Sequence, residues 1–130
     1  MVVDTSALIA VLNSEPEAAR IEAALLSARH IFLSAASLVE AGIVAERLTP
    51  QFGGHDLDLL LDRIGAEVIS VTPSHAELAR TAYRQFGKGR HPAGLNFGDC
   101  FSYALARALG EPLLFVGNDF SRTDVEVASY

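Results

Sequence analysis

Four acidic residues each stand alone among uncharged neighbours in this chain of 130 residues. Each is the only charged residue of an apolar stretch: Asp4 in 1–14, Glu40 in 31–45, Asp99 in 92–106 and Asp119 in 112–121. An ionised carboxylate buried without a partner costs about several kcal/mol. Each of these acids therefore needs a helix N-terminus, a distant arginine, a shared proton or a metal ion.

Carboxylate oxygens are hard ligands, and a cluster of three or four of them suits Mg²⁺ or Mn²⁺. The single cysteine, and histidines without ligand spacing, disfavour zinc. A divalent cation in such a cluster lowers the pKa of a bound water and screens the charge of a phosphate. We therefore expect hydrolysis of a phosphodiester bond, with the four acids as candidate catalytic and metal-binding residues.

A structural role is the alternative for each acid. Asp4 would cap the helix that follows it, and Asp119 would form a turn after a strand. Asp99 would stabilise the first turn of a helix capped by Asn96. Glu40 has no such role, because it lies near the middle of an apolar helix. Four independent structural roles at positions on one rim of the fold are a weaker explanation than one shared site.

Strands and helices alternate along the chain. Capping boxes at Ser14 to Glu17 and at Ser74 to Glu77 predict two helix starts, and the Gly53-Gly54 pair predicts a break. The predicted strands are 1–3, 30–33, 67–71 and 113–116, with a short extended tail after 124. The predicted helices are 6–12, 15–29, 34–47, 56–64, 74–86 and 96–109.

Unbroken apolar strands that alternate with helices predict an α/β fold, a parallel sheet covered on both faces. Ligands bind such sheets beyond the carboxyl ends of the strands, where the strand order reverses. Asp4 and Asp119 each directly follow a predicted strand. No linker or repeat divides the chain, so we expect residues 1–130 to form a single domain.

The composition predicts a cytoplasmic protein, because there is one cysteine, no leader-like segment and no membrane-length apolar run. A net charge of −6 opposes binding of nucleic acid by overall electrostatics. Lys88 and Arg90 belong to the only local concentration of positive charge, a glycine-rich loop, and are the candidate RNA-binding residues. Phe97, Phe101 and Tyr103 are expected to pack in the core, with base stacking as the alternative.

Four segments together resemble the acidic motifs of the PIN-domain ribonucleases, and more narrowly the VapC toxins of bacterial type II toxin–antitoxin modules. The segments are MVVDTSAL at 1–8, ASLVE at 36–40, NFGDC at 96–100 and LLFVGNDF at 113–120. Their order and spacing match over nearly the whole chain. The resemblance implies that Asp4, Glu40 and Asp99 form the metal-binding core, with Asp119 as the fourth acid. Ser6 matches a position whose hydroxyl helps to hold the acids and a water.

The resemblance also implies a PIN-like (Rossmann-like) parallel sheet of four to five strands flanked by helices. The implied activity is that of a Mg²⁺- or Mn²⁺-dependent endoribonuclease that cuts structured RNA such as tRNA. The implied partners are a second copy of the chain in a homodimer and a VapB-type antitoxin. Helices 34–47 and 56–64 carry more apolar positions than a monomer needs to bury, which agrees with a dimer.

Three other interpretations compete with a nuclease. A receiver-like signalling module requires a lysine after a late strand, and residues 116–118 offer none. A phosphatase of the haloacid dehalogenase type requires a second Asp two residues after the first, where this chain has Ser6. A catalytically silent PIN fold that only binds a partner remains open, although all four acids are present.

Overall fold

The computed structural model of this protein describes all residues from 1 to 130. Its elements are β1 (Val2–Val3), α1 (Thr5–Leu12), α2 (Ala18–Ser27), β2 (Ile31–Ser34), α3 (Ala35–Leu48), α4 (Gly53–Ile64), β3 (Ala66–Ile69), α5 (Pro73–Phe86), α6 (Phe97–Leu109), β4 (Leu113–Leu114) and a short 3₁₀ helix (Phe120–Arg122). None of the helices combines the length and the apolar character needed to cross a lipid bilayer.

The four strands form one parallel sheet in the order β3-β2-β1-β4. The predicted α/β class, with a parallel sheet of four strands flanked by helices, is therefore confirmed. The chain builds outward from β1 through β2 to β3 and then returns to the other side of β1 as β4. The strand order thus reverses beside β1, and the crevice at that point is where such sheets bind ligands.

Helices cover both faces of the centre of the sheet. Val2 and Val3 are fully buried and belong to separate apolar clusters, because successive strand residues point to opposite faces. The cluster around Val3 draws on α1 to α4, and the cluster around Val2 draws on α5 and α6. The prediction of two covered faces is wrong for the edge strand β3, where Glu67 and Val68 are exposed.

The predicted capping box at Ser14 is wrong. Ser14 has a φ of 52°, and its N–H donates to the carbonyl of Val11 as the chain leaves α1. A helix cap needs extended backbone, which this left-handed conformation does not provide. Helix α2 therefore begins only at Ala18, after Glu17, whose side chain makes no capping hydrogen bond.

Two other helices begin earlier than predicted. Gly53 lies in the first turn of α4, at a point where a side chain would overlap the backbone carbonyl of Ala45 in α3. The glycine pair therefore permits a close helix contact and does not break the chain. Helix α5 is capped by Thr72, whose hydroxyl accepts from the N–H of His75 at 3.1 Å, and not by Ser74.

Strand β4 is shorter than predicted. After Leu114 the chain turns away from the sheet, and the N–H of Val116 donates to the Ser6 hydroxyl at 3.0 Å. The predicted extended tail is confirmed as one bridge between Val127 and Leu113. The turn at Val116 carries the chain towards Asp119, over the carboxyl end of β1.

Candidate functional site

One cleft of about 290 Å³ lies at the carboxyl end of β1, where the strand order reverses. All four acids that the sequence singled out line it: Asp4, Glu40, Asp99 and Asp119. They come from four separate segments, namely the end of β1, the middle of α3, the first turn of α6 and the loop after β4. Only the fold brings them together, since they span 115 positions of the sequence.

Asp4 is buried, with 3% of its surface exposed, and its carboxylate accepts three hydrogen bonds from two serines. Its Oδ2 accepts from the N–H of Ser6 at 2.9 Å and from the Ser6 hydroxyl at 2.6 Å. Its Oδ1 accepts from the Ser102 hydroxyl at 2.6 Å. The first of these bonds makes Asp4 the N-cap of α1, so the structural alternative holds together with its place in the cleft.

Ser6 connects two sides of the cleft. Its hydroxyl donates to Asp4 and accepts from the N–H of Val116, so it ties the end of β4 to the end of β1. A serine at this position therefore fixes the orientation of the Asp4 carboxylate. No purely helix-starting role would require the bond to Val116.

Glu40 reaches the cleft from α3 and lies half-buried between Thr5 and Gly98. Its Oε2 accepts from the Thr5 hydroxyl at 3.0 Å. Burial raises the pKa of Glu40, the Thr5 hydrogen bond opposes that rise, and the nearby charge of Asp4 adds to it. A Cβ built on Gly98 would lie 2.5 Å from the Oε2 of Glu40, so the carboxylate occupies space that only glycine leaves open.

Asp99 forms a reciprocal capping box with Asn96 at the start of α6. The Asn96 side chain accepts from the N–H of Asp99, and the Asp99 carboxylate accepts from the N–H of Asn96, both at 2.9 Å. The pKa of Asp99 is raised to about 7, and burial is the largest cause. The hydrogen bond from Asn96 opposes this rise, and the charges of Asp4, Asp119 and Glu40 contribute to it. The cleft therefore holds more negative charge than its surroundings stabilise.

Asp119 is the most exposed of the four acids. It precedes the 3₁₀ helix and makes no capping hydrogen bond with it. Its side chain lines the cleft, and its charge contributes to the raised pKa of Asp99. Asn118 beside it does not line the cleft.

Three hydroxyl residues that the sequence analysis did not select support the acids. Thr5 bonds Glu40, and Ser102 bonds Asp4. The Ser37 hydroxyl lies 3.1 Å from that of Ser102, and both residues are almost completely buried. The signal was available, because Ser37 precedes Glu40 by three positions on an apolar helix. A polar residue one turn from a buried acid lies on the same helix face.

The donor set of the cleft fits a hard divalent cation. Its polar side chains are four carboxylates, the hydroxyls of Thr5 and Ser6 and the amide of Asn96, and its excess of negative charge is what bound Mg²⁺ or Mn²⁺ would neutralise. As the side chains stand, no three of the acidic, histidine or cysteine side chains converge closely enough to enclose an ion. The fit is therefore one of ligand chemistry and shared location.

The predicted basic residues lie outside the cleft, and Lys88 lines a neighbouring hollow that shares Asn96 with it. Lys88 and Arg90 are exposed, and neither forms a salt bridge. The Arg90 guanidinium lies 5.8 Å from the centre of the Tyr83 ring. Backbone hydrogen bonds hold the loop, including one from the N–H of Lys88 to Leu95 at 2.9 Å.

The aromatic residues of α6 divide between core and surface. Tyr103 is buried as predicted, and the prediction is wrong for Phe97, which is 79% exposed. Phe97 occupies the first position of the helix, and its ring contacts that of Phe101. Cys100 is buried, and burial together with the nearby charge of Asp99 raises the pKa of its thiol to about 11.

The parallel sheet, with four acids at its switch point, defines an α/β nuclease-like class of domain. The PIN domain family model matches residues 1–126. The chain belongs to the PIN domain family, and within it to the VapC ribonucleases of toxin–antitoxin systems.

Close relatives support the narrower assignment. Ribonuclease VapC30 of Mycobacterium tuberculosis is 52% identical over 126 residues, which cover 96% of this chain and 95% of the relative. Ribonuclease VapC of Mycolicibacterium smegmatis is 50% identical over 125 residues, which cover 96% of this chain and 97% of the relative.

Solved structures share the fold at low sequence identity. The Mycobacterium tuberculosis toxin VapC20, described as cleaving the sarcin-ricin loop, has a TM-score of 0.81 at 19% identity. That comparison covers 99% of this chain and 98% of the toxin. VapBC2 of Rickettsia felis, bound to a DNA fragment of its promoter, has a TM-score of 0.72 at 19% identity over 98% of this chain and 96% of the matched one.

Proposed function

We propose that this protein is a Mg²⁺- or Mn²⁺-dependent endoribonuclease that acts as the toxin of a type II toxin–antitoxin module. Its substrate is structured RNA, with tRNA as the first candidate, and a VapB-type antitoxin neutralises it. The observation that carries the proposal is the meeting of Asp4, Glu40, Asp99 and Asp119 around one cleft at the switch point of the sheet. Membership of the PIN domain family favours a nuclease over the receiver-like alternative.

In this proposal the four carboxylates hold the metal, which supplies an activated water and charge screening at the phosphate. Asp4 is held by three hydrogen bonds, and Ser6 and Ser102 fix its orientation. Such preorganised ligands do not have to rearrange when the charge of the transition state develops. Asp119, which is exposed and free of capping bonds, is the acid best able to adjust its position.

The choice of structured RNA rests on two kinds of support. A structural neighbour is described as cleaving the sarcin-ricin loop, a defined element of RNA. In this chain the cleft is small, at about 290 Å³, and Lys88 and Arg90 are exposed cations without salt-bridge partners. A small cleft of this kind selects strands that are unpaired locally within a folded RNA.

The proposed partners are supported by structural neighbours of the chain and by its exposed apolar surface. A structural neighbour from Klebsiella pneumoniae is described as a toxin–antitoxin complex, which supports an antitoxin partner here. Val39 and Ile43 on α3 are 63% and 48% exposed beside Glu40, and Leu59 on α4 is 54% exposed. Apolar surface of this kind is what a second copy of the chain or an antitoxin would cover.

The decisive experiment is incubation of the purified protein with total tRNA and, separately, with ribosomal RNA, in Mg²⁺, in Mn²⁺ and in EDTA. The proposal expects discrete fragments in either metal and none in EDTA, with tRNA cut in preference. Asp99→Asn is the matched control, because an amide can keep the hydrogen bond from Asn96 but is a poor metal ligand. Fragments that persist in EDTA or with Asp99→Asn would contradict the proposal, and a protein that binds RNA without cutting it would favour the catalytically silent PIN fold.

A further inference from the structure

A second and larger hollow lies directly beside the acid cleft. It is a groove of about 750 Å³ between α5 and α6, here called the α5–α6 groove, which falls within the range of ligand-binding pockets, about 300–1,000 Å³. Its lining residues are Ala76, Ala79, Arg80, Tyr83, Arg84, Lys88, Asn96, Phe97, Cys100 and Phe101. Asn96 lines both the groove and the acid cleft, so the two hollows adjoin at this residue.

The charge of the groove is opposite to that of the whole protein. Its lining includes three cationic side chains and no acidic one, although the chain carries a net charge of −6. Arg80 is paired with Glu77, but Arg84 donates only to the hydroxyl of Thr81, and Lys88 has no salt-bridge partner. A polyanion is therefore the complementary occupant. A second copy of this groove, facing it across a two-fold axis, would bring cations against cations.

The floor of the groove is aromatic and apolar. Phe97 is 79% exposed, and it contacts Phe101 edge to face, with the ring centres 5.0 Å apart. This contact leaves the outer face of the Phe97 ring open. An exposed aromatic ring beside cationic side chains is the arrangement by which proteins bind unpaired nucleotides, stacking the base and neutralising the phosphates.

The position of Phe97 relates the groove to the chemistry. Asn96, the residue directly before Phe97, lines both the groove and the acid cleft, so the two hollows meet at the start of α6. A base resting on Phe97 would therefore belong to a nucleotide close to a phosphate in the acid cleft. Arg84 on α5 and Lys88, two residues after that helix ends, also line the groove, where they would contact the RNA backbone.

We propose that the α5–α6 groove is a subsite for one unpaired nucleotide adjacent to the scissile bond, whose base stacks on Phe97 while Arg84 and Lys88 contact the flanking phosphates. This proposal rests on the proposed function, since it assigns the groove to the substrate of the acid cleft. The substrate must therefore contain a nucleotide that is free to leave its helix.

The test is binding of a fluorescently labelled 12-nucleotide uridine RNA and of an abasic oligomer of equal length and charge, in EDTA so that no cutting intervenes. The unmodified protein is expected to bind the uridine RNA about tenfold more tightly than the abasic oligomer. Phe97→Leu keeps apolar bulk without an aromatic face and should abolish this preference, while Phe97→Trp should keep it. Phe52→Ala is the matched control, because Phe52 is 60% exposed but lines neither hollow.

The charged side of the groove has its own readout in the same assay. Replacing Arg84 or Lys88 by Gln should weaken binding of both oligomers equally and lower the slope of log affinity against log salt by about one for each residue. Equal affinity for the two oligomers, or a preference that survives Phe97→Leu, would overturn the nucleotide subsite. A change in the mass of the protein by light scattering with Phe97→Leu would also overturn it, because the groove would then be an interface between copies.

The two proposals fail in distinguishable ways. If total RNA is not cut in Mg²⁺ but the base preference depends on Phe97, the nuclease assignment falls and the nucleotide subsite stands. If RNA is cut but the preference does not depend on Phe97, the subsite falls and the nuclease assignment stands.

Discussion

The carboxylate of Glu40 lies against the α-carbon of Gly98, in the space where any other residue would place its Cβ. A Cβ there would be 2.5 Å from Oε2 and 2.6 Å from Cδ of Glu40. Gly98 is the second residue of α6, one position before Asp99. The absence of one side chain on α6 thus sets how closely an acid of α3 approaches an acid of α6.

Gly98→Ala should reduce ribonuclease activity by about tenfold or more while leaving the fold intact. The new methyl group displaces the Glu40 carboxylate, which is the flexible end of a long side chain and can rotate away. Alanine is also the better helix former, by about 0.5–1 kcal/mol, so the melting temperature should stay the same or rise. Initial rates at saturating Mg²⁺ and a thermal unfolding curve measure the two effects.

Gly42→Ala is the matched control for this prediction. Gly42 lies inside α3, two residues after Glu40, and a Cβ there would meet nothing within 4 Å. It should gain stability in the same way and keep full activity. Equal activity of the two alanine variants would mean that the position of Glu40 does not matter for the reaction.

Metal ions should stabilise the protein more at pH 8 than at pH 6. The pKa of Asp99 is raised to about 7, above that of an unfolded carboxyl group, so this group costs the folded state stability as the pH rises from about 4 to about 7. A divalent cation offsets that cost and competes with the proton only below pH 7. Millimolar Mg²⁺ should raise the melting temperature by several degrees at pH 8 and less at pH 6.

Asp99→Asn provides the control for the pH effect. Without the titrating carboxyl group, the metal-free protein should lose less stability between pH 5 and pH 8, and Mg²⁺ should stabilise it less. A melting temperature of the unmodified protein that ignores Mg²⁺ at both pH values would contradict a metal site in the cleft.

The parts of the site that the sequence could reveal are those where residue type conflicts with its surroundings. A carboxylate in an apolar stretch, such as Glu40, lowers the stability of the fold unless it has a function, so this conflict can be recognised from the sequence alone. The contribution of Gly98 was not visible, because it depends on how closely α3 and α6 approach. The Ser102 bond to Asp4 joins residues 98 positions apart and follows only from the crossing of α6 over the end of β1.

The same distinction applies to the fold. The parallel sheet follows from short unbroken apolar runs that alternate with helical segments, and both patterns are local properties of the sequence. The start of α2 did not, because the capping pattern at Ser14 competes with the backbone hydrogen bonds that close α1. The start of α4 depends on contact between Gly53 and Ala45, and no local rule separates a glycine that breaks a helix from one that allows two helices to touch.

The protein should be a dimer in solution. Four large apolar side chains on α2, α3 and α4 are between 48% and 63% exposed, namely Leu26, Val39, Ile43 and Leu59. Covering this apolar surface with a second copy of the chain would stabilise a dimer. Light scattering at tens of micromolar should give about twice 13.9 kDa. Val39→Asp should shift the mass towards the monomer if this face forms the interface. A monomer at the same concentration would refute the prediction.

Lys88 and Arg90 should contribute to RNA binding and not to the chemical step. The double variant Lys88→Ala, Arg90→Ala removes two exposed charges near the cleft without touching its acids. The KM for tRNA should rise about tenfold at moderate salt, and its salt dependence should flatten, while kcat changes little. Arg29→Ala on the far side of the fold serves as the charge control. A fall in kcat with unchanged KM would assign these residues to catalysis.

Replacing one acid of the cleft should abolish cutting without unfolding the protein. Asp4 caps α1, and Asp99 completes the capping box of α6 with Asn96, so alanine at either position would remove a structural bond together with the metal ligand. Asparagine can keep an acceptor oxygen for both caps and removes the charge. Asp4→Asn and Asp99→Asn should therefore each lower the cutting rate by at least about a hundredfold and relieve growth arrest when expressed without an antitoxin. If both variants melt within a few degrees of the unmodified protein and still cut RNA and arrest growth, the acids are structural, and another part of the molecule performs the reaction.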